Sequence, residues 1–171
     1  LAGLESRDQA KTFIYALVYG AGNLKLGQVV GGNKEDGERL RRRFLDNLPS
    51  FKALRDRVAR AAVKGYLKGL DGRKIYVRSE HAALNTLLQG AGAIVMKEAM
   101  RLLYEAIQEK QLDAHFVCNV HDEWQIEVRE DMADAVGMAG IESIKNAGVA
   151  LNLRCPLTGE YNVGSNWAET H

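Results

Sequence analysis

Arg7, Lys11, Tyr15 and Tyr19 recur at every fourth position near the start of the chain. At about 100° per residue, a helix would bring them within about 120° of one another. Arg grips phosphate oxygens bidentately and Lys supplies a movable point charge. Both precede the tyrosines, so they sit toward the helix N-terminus, where the dipole favours anions. Tyr rings offer flat faces for a sugar or a base. A nucleoside triphosphate laid along this helix meets cations at its phosphates and rings at its nucleoside. Ala10, Phe13, Ile14, Leu17 and Val18 form the adjoining apolar face. The same spacing also describes an ordinary amphipathic helix with cations and snorkelling tyrosines at its rim.

Two further groups could do chemistry. His121-Asp122-Glu123 separates two apolar stretches, Phe116–Val120 and Trp124–Val128. A carboxylate at the tip of a hairpin is rigidly held and offers the hard oxygen that Mg²⁺ prefers. Asp is also common in solvated turns. Asp122, Glu123 and Glu127 lie close in sequence and would repel one another if unpartnered. Asn85 and Gln89, one helical turn apart beside Leu84, Leu87 and Leu88, need hydrogen-bond partners. Buried backbone groups are one answer. Minor-groove acceptors, nearly uniform across base pairs, are another.

These residues require positioning elements. Ser6 and Gln9 read as a capping box opening a helix over about 7–19, with Asp8 in its first turn. Gly20-Ala21-Gly22-Asn23 stops it. That glycine run follows a helix rather than a strand, which excludes a dinucleotide-binding loop. A second helix is expected over about 34–46, and Pro49 opens a third. Segments 66–70 and 73–77 flank Asp71-Gly72 and predict a hairpin. Helical period resumes over about 79–109, with Gly90 and Gly92 as potential interruptions. After the hairpin around His121-Asp122-Glu123 comes a helix over about 131–147, capped by Glu130 or Asp131. Alternation at Leu151, Leu153 and Cys155 predicts one more strand. The fold class expected is α+β.

With 171 residues, the chain can bury a substantial core without disulfides or metals. Cys118 and Cys155 lack metal-ligand spacing, which favours a reduced, cytoplasmic setting. No apolar run suggests a membrane helix or signal peptide. The net charge of +1 conceals a split. Residues 38–78 hold 13 basic and 4 acidic side chains, and residues 98–142 hold 3 basic and 11 acidic. Such asymmetry points to a polyanion partner or a metal site, or to two solvated faces.

Arg7-x-x-x-Lys11-x-x-x-Tyr15-x-x-x-Tyr19-Gly20 resembles the fingers-helix motif of family A DNA polymerases, the DNA polymerase I relatives. The stretch RDQAKTFIYALVYGAG closely resembles the replicative polymerases of podophages. VHDE in an apolar hairpin resembles the family's palm motif, LNTLLQGAGA its minor-groove segment, and GSNWAETH its C-terminus. Single-subunit RNA polymerases share a looser fingers motif, but Glu123 after Asp122 favours a DNA polymerase. The resemblance implies dNTP binding by Arg7, Lys11 and Tyr15, with Lys11 also a general acid toward departing pyrophosphate. It implies primer-template DNA contacts by Tyr19, Gly20, Asn85, Gln89 and His121. Asp122 becomes a catalytic metal ligand and Glu123 an auxiliary carboxylate. Arg73 and Arg78 are expected either as phosphate contacts or as part of a solvated basic strand. His171 is expected near the active site, as in related phage enzymes.

Two Mg²⁺ ions serve such chemistry, normally bridged by two aspartates. The resemblance covers fingers (1–78) and C-terminal palm (79–171), whereas the family's second Asp lies upstream. The segment between Pro49 and Gly72 is shorter than in phage relatives. The chain also begins at Leu1 rather than Met. The expectation is therefore a polymerase portion, nearly inactive alone, that needs an N-terminal remainder in the same longer chain or in a split subunit. A bacterial host cytoplasm is the implied location if the gene is phage-borne. The alternatives are a catalytically inactive DNA- or nucleotide-binding remnant and a single-subunit RNA polymerase piece.

Overall fold

The computed structural model describes residues 3–170. It is mainly helical, with two small antiparallel hairpins, an α+β chain as expected. The expectation for His171 lies outside the described residues. The chain forms two compact units, one up to Gly90 and one from Ala91 on.

The first unit opens with α1 (Arg7–Val18). Ser6 Oγ accepts the Gln9 N–H, but the Gln9 side chain returns to the Glu5 N–H rather than completing the box on Ser6. The helix ends in a Schellman arrangement around Gly20, at φ +80°. There Gly20 N–H donates to Leu17 and Ala21 N–H to Ala16. A short helix, α2 (Asn23–Gln28), follows immediately, where the glycine run predicts only a stop. Its sequence is too short for a periodic signal. It is held by α3 (Lys34–Asn47), which starts in a full Asn33/Asp36 capping box. The two backbones touch where both carry glycine. A Cβ on Gly37 would lie 1.8 Å from Asn23 O, and one on Gly27 1.7 Å from Asn33 O. Phe13, Leu17, Leu26, Phe44 and Leu45 form the core beneath these helices, with Phe13 and Phe44 edge to face.

Pro49 opens α4 (Pro49–Ala62) as expected. The hairpin of β1 (Tyr66–Lys68) and β2 (Lys74–Tyr76) turns through Asp71-Gly72, with Gly72 at φ +84°. Val58, Ala62, Leu67, Ala83 and Leu84 form a second core cluster. The last helix, α5 (Ala83–Glu109), starts in this unit and ends in the next. Gly90 and Gly92 do not interrupt it. Gly90 serves packing instead, because a Cβ there would come within 2.8 Å of Ile75 Cδ1.

In the second unit, β3 (Ala114–Val120) pairs with β4 (Glu123–Val128). Trp124, Ile126 and Val128 pack on a core of Leu103, Ile107, Ala114, Val136 and Ala139. Neither Glu130 nor Asp131 caps α6 (Ala133–Ala150), because a 3₁₀ turn at Glu130–Met132 precedes it. Asp131 instead binds Arg129, at 2.6 and 3.0 Å. No strand forms at Leu151, Leu153 and Cys155. That alternation belongs to a helix end, since Asn152 takes φ +55° and Leu153 N–H donates back to Gly148 O. The tail ends in α7 (Trp167–Thr170).

Candidate active site

Burial of Phe13 and Leu17 fixes the rotation of α1 and turns the predicted stripe to solvent. Tyr15 and Tyr19 are 55% and 56% exposed. Arg7 and Lys11 are exposed, and among the described residues neither forms an ion pair. Ile14, expected on the apolar face, is itself 44% exposed. The stripe is thus two unneutralised cations followed by two open rings, with Ile14 at its margin.

Two predicted residues from different helices meet here. Gln89 Nε2 donates to Tyr19 Oη at 3.4 Å, so α5 reaches the C-terminal end of the stripe. Asn85, one turn earlier, is half-buried, and its Oδ1 has no hydrogen-bond partner among the described residues. Gly20 lies directly against the segment before α5, and a Cβ on it would be 2.3 Å from His81 O. A cleft of about 190 Å³ opens beside it, lined in part by Arg41, Arg55, Glu80 and His81. Arg41 donates to Ala21 O. Burial and the nearby Arg55 charge both push the Arg41 pKa down. No local pattern signals this paired-arginine cleft, because Arg41 and Arg55 come from separate helices. Arg73 is bound to Asp71 at 2.6 Å, so it is a turn ion pair in the free chain.

In the second unit, His121 and Asp122 form the whole turn, one residue shorter than expected, since Val120 pairs with Glu123. His121 carries the strain of the reversal at φ +54°. Both turn residues are exposed, while Glu123 is half-buried as the first residue of β4. Its Oε1 accepts hydrogen bonds from Gln125 Nε2 and, at 3.1 Å, from Trp167 Nε1. A bulge leaves Val117 without a partner and pairs Cys118 with Gln125. Paired residues share a face, so the bulge moves Cys118 and Val120 to the side of Glu123 and Gln125, away from the core. Asp122, Glu123 and Glu127 do not converge. Among the described residues no group of three or more His, Cys, Asp or Glu side chains is placed to hold a metal ion. Asp122 fits a divalent cation as one hard-oxygen ligand, and the rest of such a site is not supplied by these residues. Many of the other acidic side chains in this region pair locally, Glu98 and Glu105 with Arg101 among them.

The profile of DNA polymerase family A matches residues 3–169. The chain belongs to that family. This family A chain is 45% identical to the DNA-directed DNA polymerase of Escherichia phage Phieco32, over all of the chain and 29% of the relative. It is 42% identical to that of Escherichia phage T7, over 99% of the chain and 27% of the relative. The T7 match runs over 192 positions against 171 residues here, so that relative carries residues this chain lacks. DNA polymerase I of Pseudomonas aeruginosa is 32% identical over 98% of the chain. Among solved structures, the POL domain of Pol1 from M. smegmatis, in complex with DNA primer-template and dNTP, superposes with a TM-score of 0.75 at 27% identity. That match covers 82% of this chain and 27% of the other. The chain spans less than a third of the length of the phage relatives. Both sequence motifs fall inside the matched range. Among the described residues no helix is long and apolar enough to cross a membrane.

Proposed function

We propose that this chain forms the fingers (1–78) and C-terminal palm (79–171) of a DNA-directed DNA polymerase, extending a primer 3′-hydroxyl with dNTPs on a template. The division by function is distinct from the division by packing at Gly90. The observation that carries the reading is the α1 stripe, with Arg7 and Lys11 un-neutralised and two rings in line behind them. Cations left available to an anionic ligand and rings left open to a nucleoside, in line on one helix, are what this reading requires.

In this reading Arg7 and Lys11 hold the triphosphate, and Lys11 passes a proton to the departing pyrophosphate. Tyr15 packs beside the sugar. Tyr19 and Gly20 border the templating base, and Asn85 and Gln89 accept or donate in the minor groove. His121 lies by the primer terminus. Asp122 is a metal ligand and Glu123 an auxiliary carboxylate. Mg²⁺, two ions in the assembled site, would polarise the phosphoryl oxygens and favour the attacking hydroxyl. The remaining ligands, including a second Asp, come from an N-terminal portion in the same longer chain or in a split subunit. Replication of phage DNA in the bacterial cytoplasm is the setting that fits the named relatives.

Primer extension tests this. The chain joined to its upstream portion should extend a primer with dNTPs, Lys11→Ala should slow it, and Asp122→Asn should abolish it. Extension by the 171-residue chain alone would refute the need for an upstream portion. Unchanged extension by Asp122→Asn would refute the metal role. DNA binding without extension would establish an inactive remnant, and preference for ribonucleotides an RNA polymerase piece.

A further inference from the structure

The tail after α6 returns to the hairpin through a series of specific contacts. Its anchor is Tyr161, whose hydroxyl donates to Asp134 Oδ1 at 3.0 Å. The Tyr161 ring lies on Gly137, where a Cβ would come within 2.4 Å of Cδ2. From there the chain turns into α7 around Glu169. That carboxylate accepts the Ser165 N–H at 2.8 Å, the Ser165 hydroxyl at 3.0 Å and Asn166 Nδ2 at 2.8 Å. α7 then meets the off-core face of β4. Trp167 Nε1 donates to Glu123 Oε1 at 3.1 Å, and Thr170 Oγ1 to Gln125 Oε1 at 3.2 Å. Gln125 Nε2 donates to the same Glu123 oxygen.

We propose that this C-terminal clasp, through Trp167, holds the Glu123 carboxylate and so sets the turn that carries Asp122, which makes Trp167 a positioning residue. The inference rests on the polymerase reading of Asp122 and Glu123. The chemistry of the donors supports it. An indole N–H and a carboxamide are neutral, and the indole cannot accept. Both orient the carboxylate oxygen without bringing a charge of their own. Glu123 adjoins a two-residue turn, so fixing its side chain restrains the neighbouring Asp122 through few intervening bonds. The anchors lie on α6, on the far side of the clasp from the turn. The clasp therefore ties the proposed metal-binding carboxylate to the packed helices of its own unit.

Two measurements on different readouts test this. In the 171-residue chain, the two indole N–H resonances belong to Trp124 and Trp167. Glu123→Ala should move the Trp167 resonance and speed its exchange with water on the order of tenfold, the loss of one charge-assisted hydrogen bond. In the polymerase assembled with its upstream portion, Trp167→Phe keeps an aromatic side chain of smaller size and removes the donor. It should lower kcat on the order of tenfold with the dNTP KM within about twofold, the signature of a group acting on the chemical step. Adding Trp167→Phe to Glu123→Ala should then cost nothing further. An indole resonance indifferent to Glu123→Ala overturns the proposal whatever the activity. A responsive resonance with wild-type kcat in Trp167→Phe, in an enzyme that Asp122→Asn inactivates, makes the clasp purely structural and also overturns it. A responsive resonance in an enzyme indifferent to Asp122→Asn overturns the metal role of Asp122, and the positioning role with it.

Discussion

Replacing Gly20 by alanine separates a structural demand from the proposed contact with DNA. Gly20 sits at φ +80° in the cap that ends α1. An L-residue in the left-handed region costs about 1–2 kcal/mol. The added Cβ would also meet His81 O at 2.3 Å, a backbone atom that cannot rotate away. Relief needs a shift of about 1 Å to reach ordinary contact, and overpacking of this kind costs about 1–3 kcal/mol. The sum, about 2–5 kcal/mol, is a large share of the 5–15 kcal/mol that a domain typically has. The first unit should therefore loosen, and α1 with it. Gly22→Ala is the control, because Gly22 has φ −69° and nothing within 4 Å of a built Cβ. It should stay within about 0.5–1 kcal/mol of the parent, the cost of Ala for Gly at a helix N-cap. Both tryptophans lie in the second unit, so their fluorescence is the wrong probe. Amide exchange across Arg7–Val18, with Ala133–Ala150 as internal reference, reads the first unit directly. If Gly20→Ala costs no more than Gly22→Ala, the close approach to His81 is not a constraint and the reasoning fails.

Other expectations follow from single sites. Gly92→Ala should stabilise by roughly 0.5–1 kcal/mol, because Gly92 is exposed within α5 and a Cβ there meets nothing; an unchanged or lower Tm would contradict this. Three hydrogen bonds, the Ser165 N–H first, hold the Glu169 carboxyl below its ordinary value of 4.5. A depressed carboxylate pKa stabilises the fold above the unfolded value and loses that contribution as pH falls through the folded one. The α7 clasp should accordingly loosen as pH drops below about 4.5, and Glu169→Gln should flatten that dependence in amide exchange over 162–170. The family resemblance implies that Tyr at position 15 discriminates weakly against dideoxynucleotides. Tyr15→Phe in the assembled polymerase should raise the ratio of kcat/KM for dNTP over ddNTP, and an unchanged ratio would remove Tyr15 from the sugar.

Local chemistry was strong enough to be read directly for α1 and the palm-like hairpin. The spacing of Arg7, Lys11, Tyr15 and Tyr19, the Gly20 stop, Pro49 at the head of α4 and the apolar strands around His121-Asp122 each carry their own signal. Those signals act over one or two turns of backbone, and the structure keeps them. Other features depended on partners distant in sequence. α2 exists because Gly27 and Gly37 let two backbones touch. α5 passes Gly90 because that position must admit Ile75. The apparent strand after α6 is a helix cap, since its alternating leucines flank a left-handed Asn152.

By itself, then, the sequence determined the kind of chemistry on offer: cations, rings and a turn carboxylate at spacings that local hydrogen bonding converts into a helix face and a hairpin tip. Tertiary structure alone decided which of these groups touch. It joined Tyr19 to Gln89 across 70 residues and Glu123 to Trp167 across 44. It also moved Cys118 to the off-core face through a bulge. Contacts of that range form where the burial of Phe13, Leu84 and Leu103 drives separate segments together, and no local pattern encodes which polar side chains are then left facing one another.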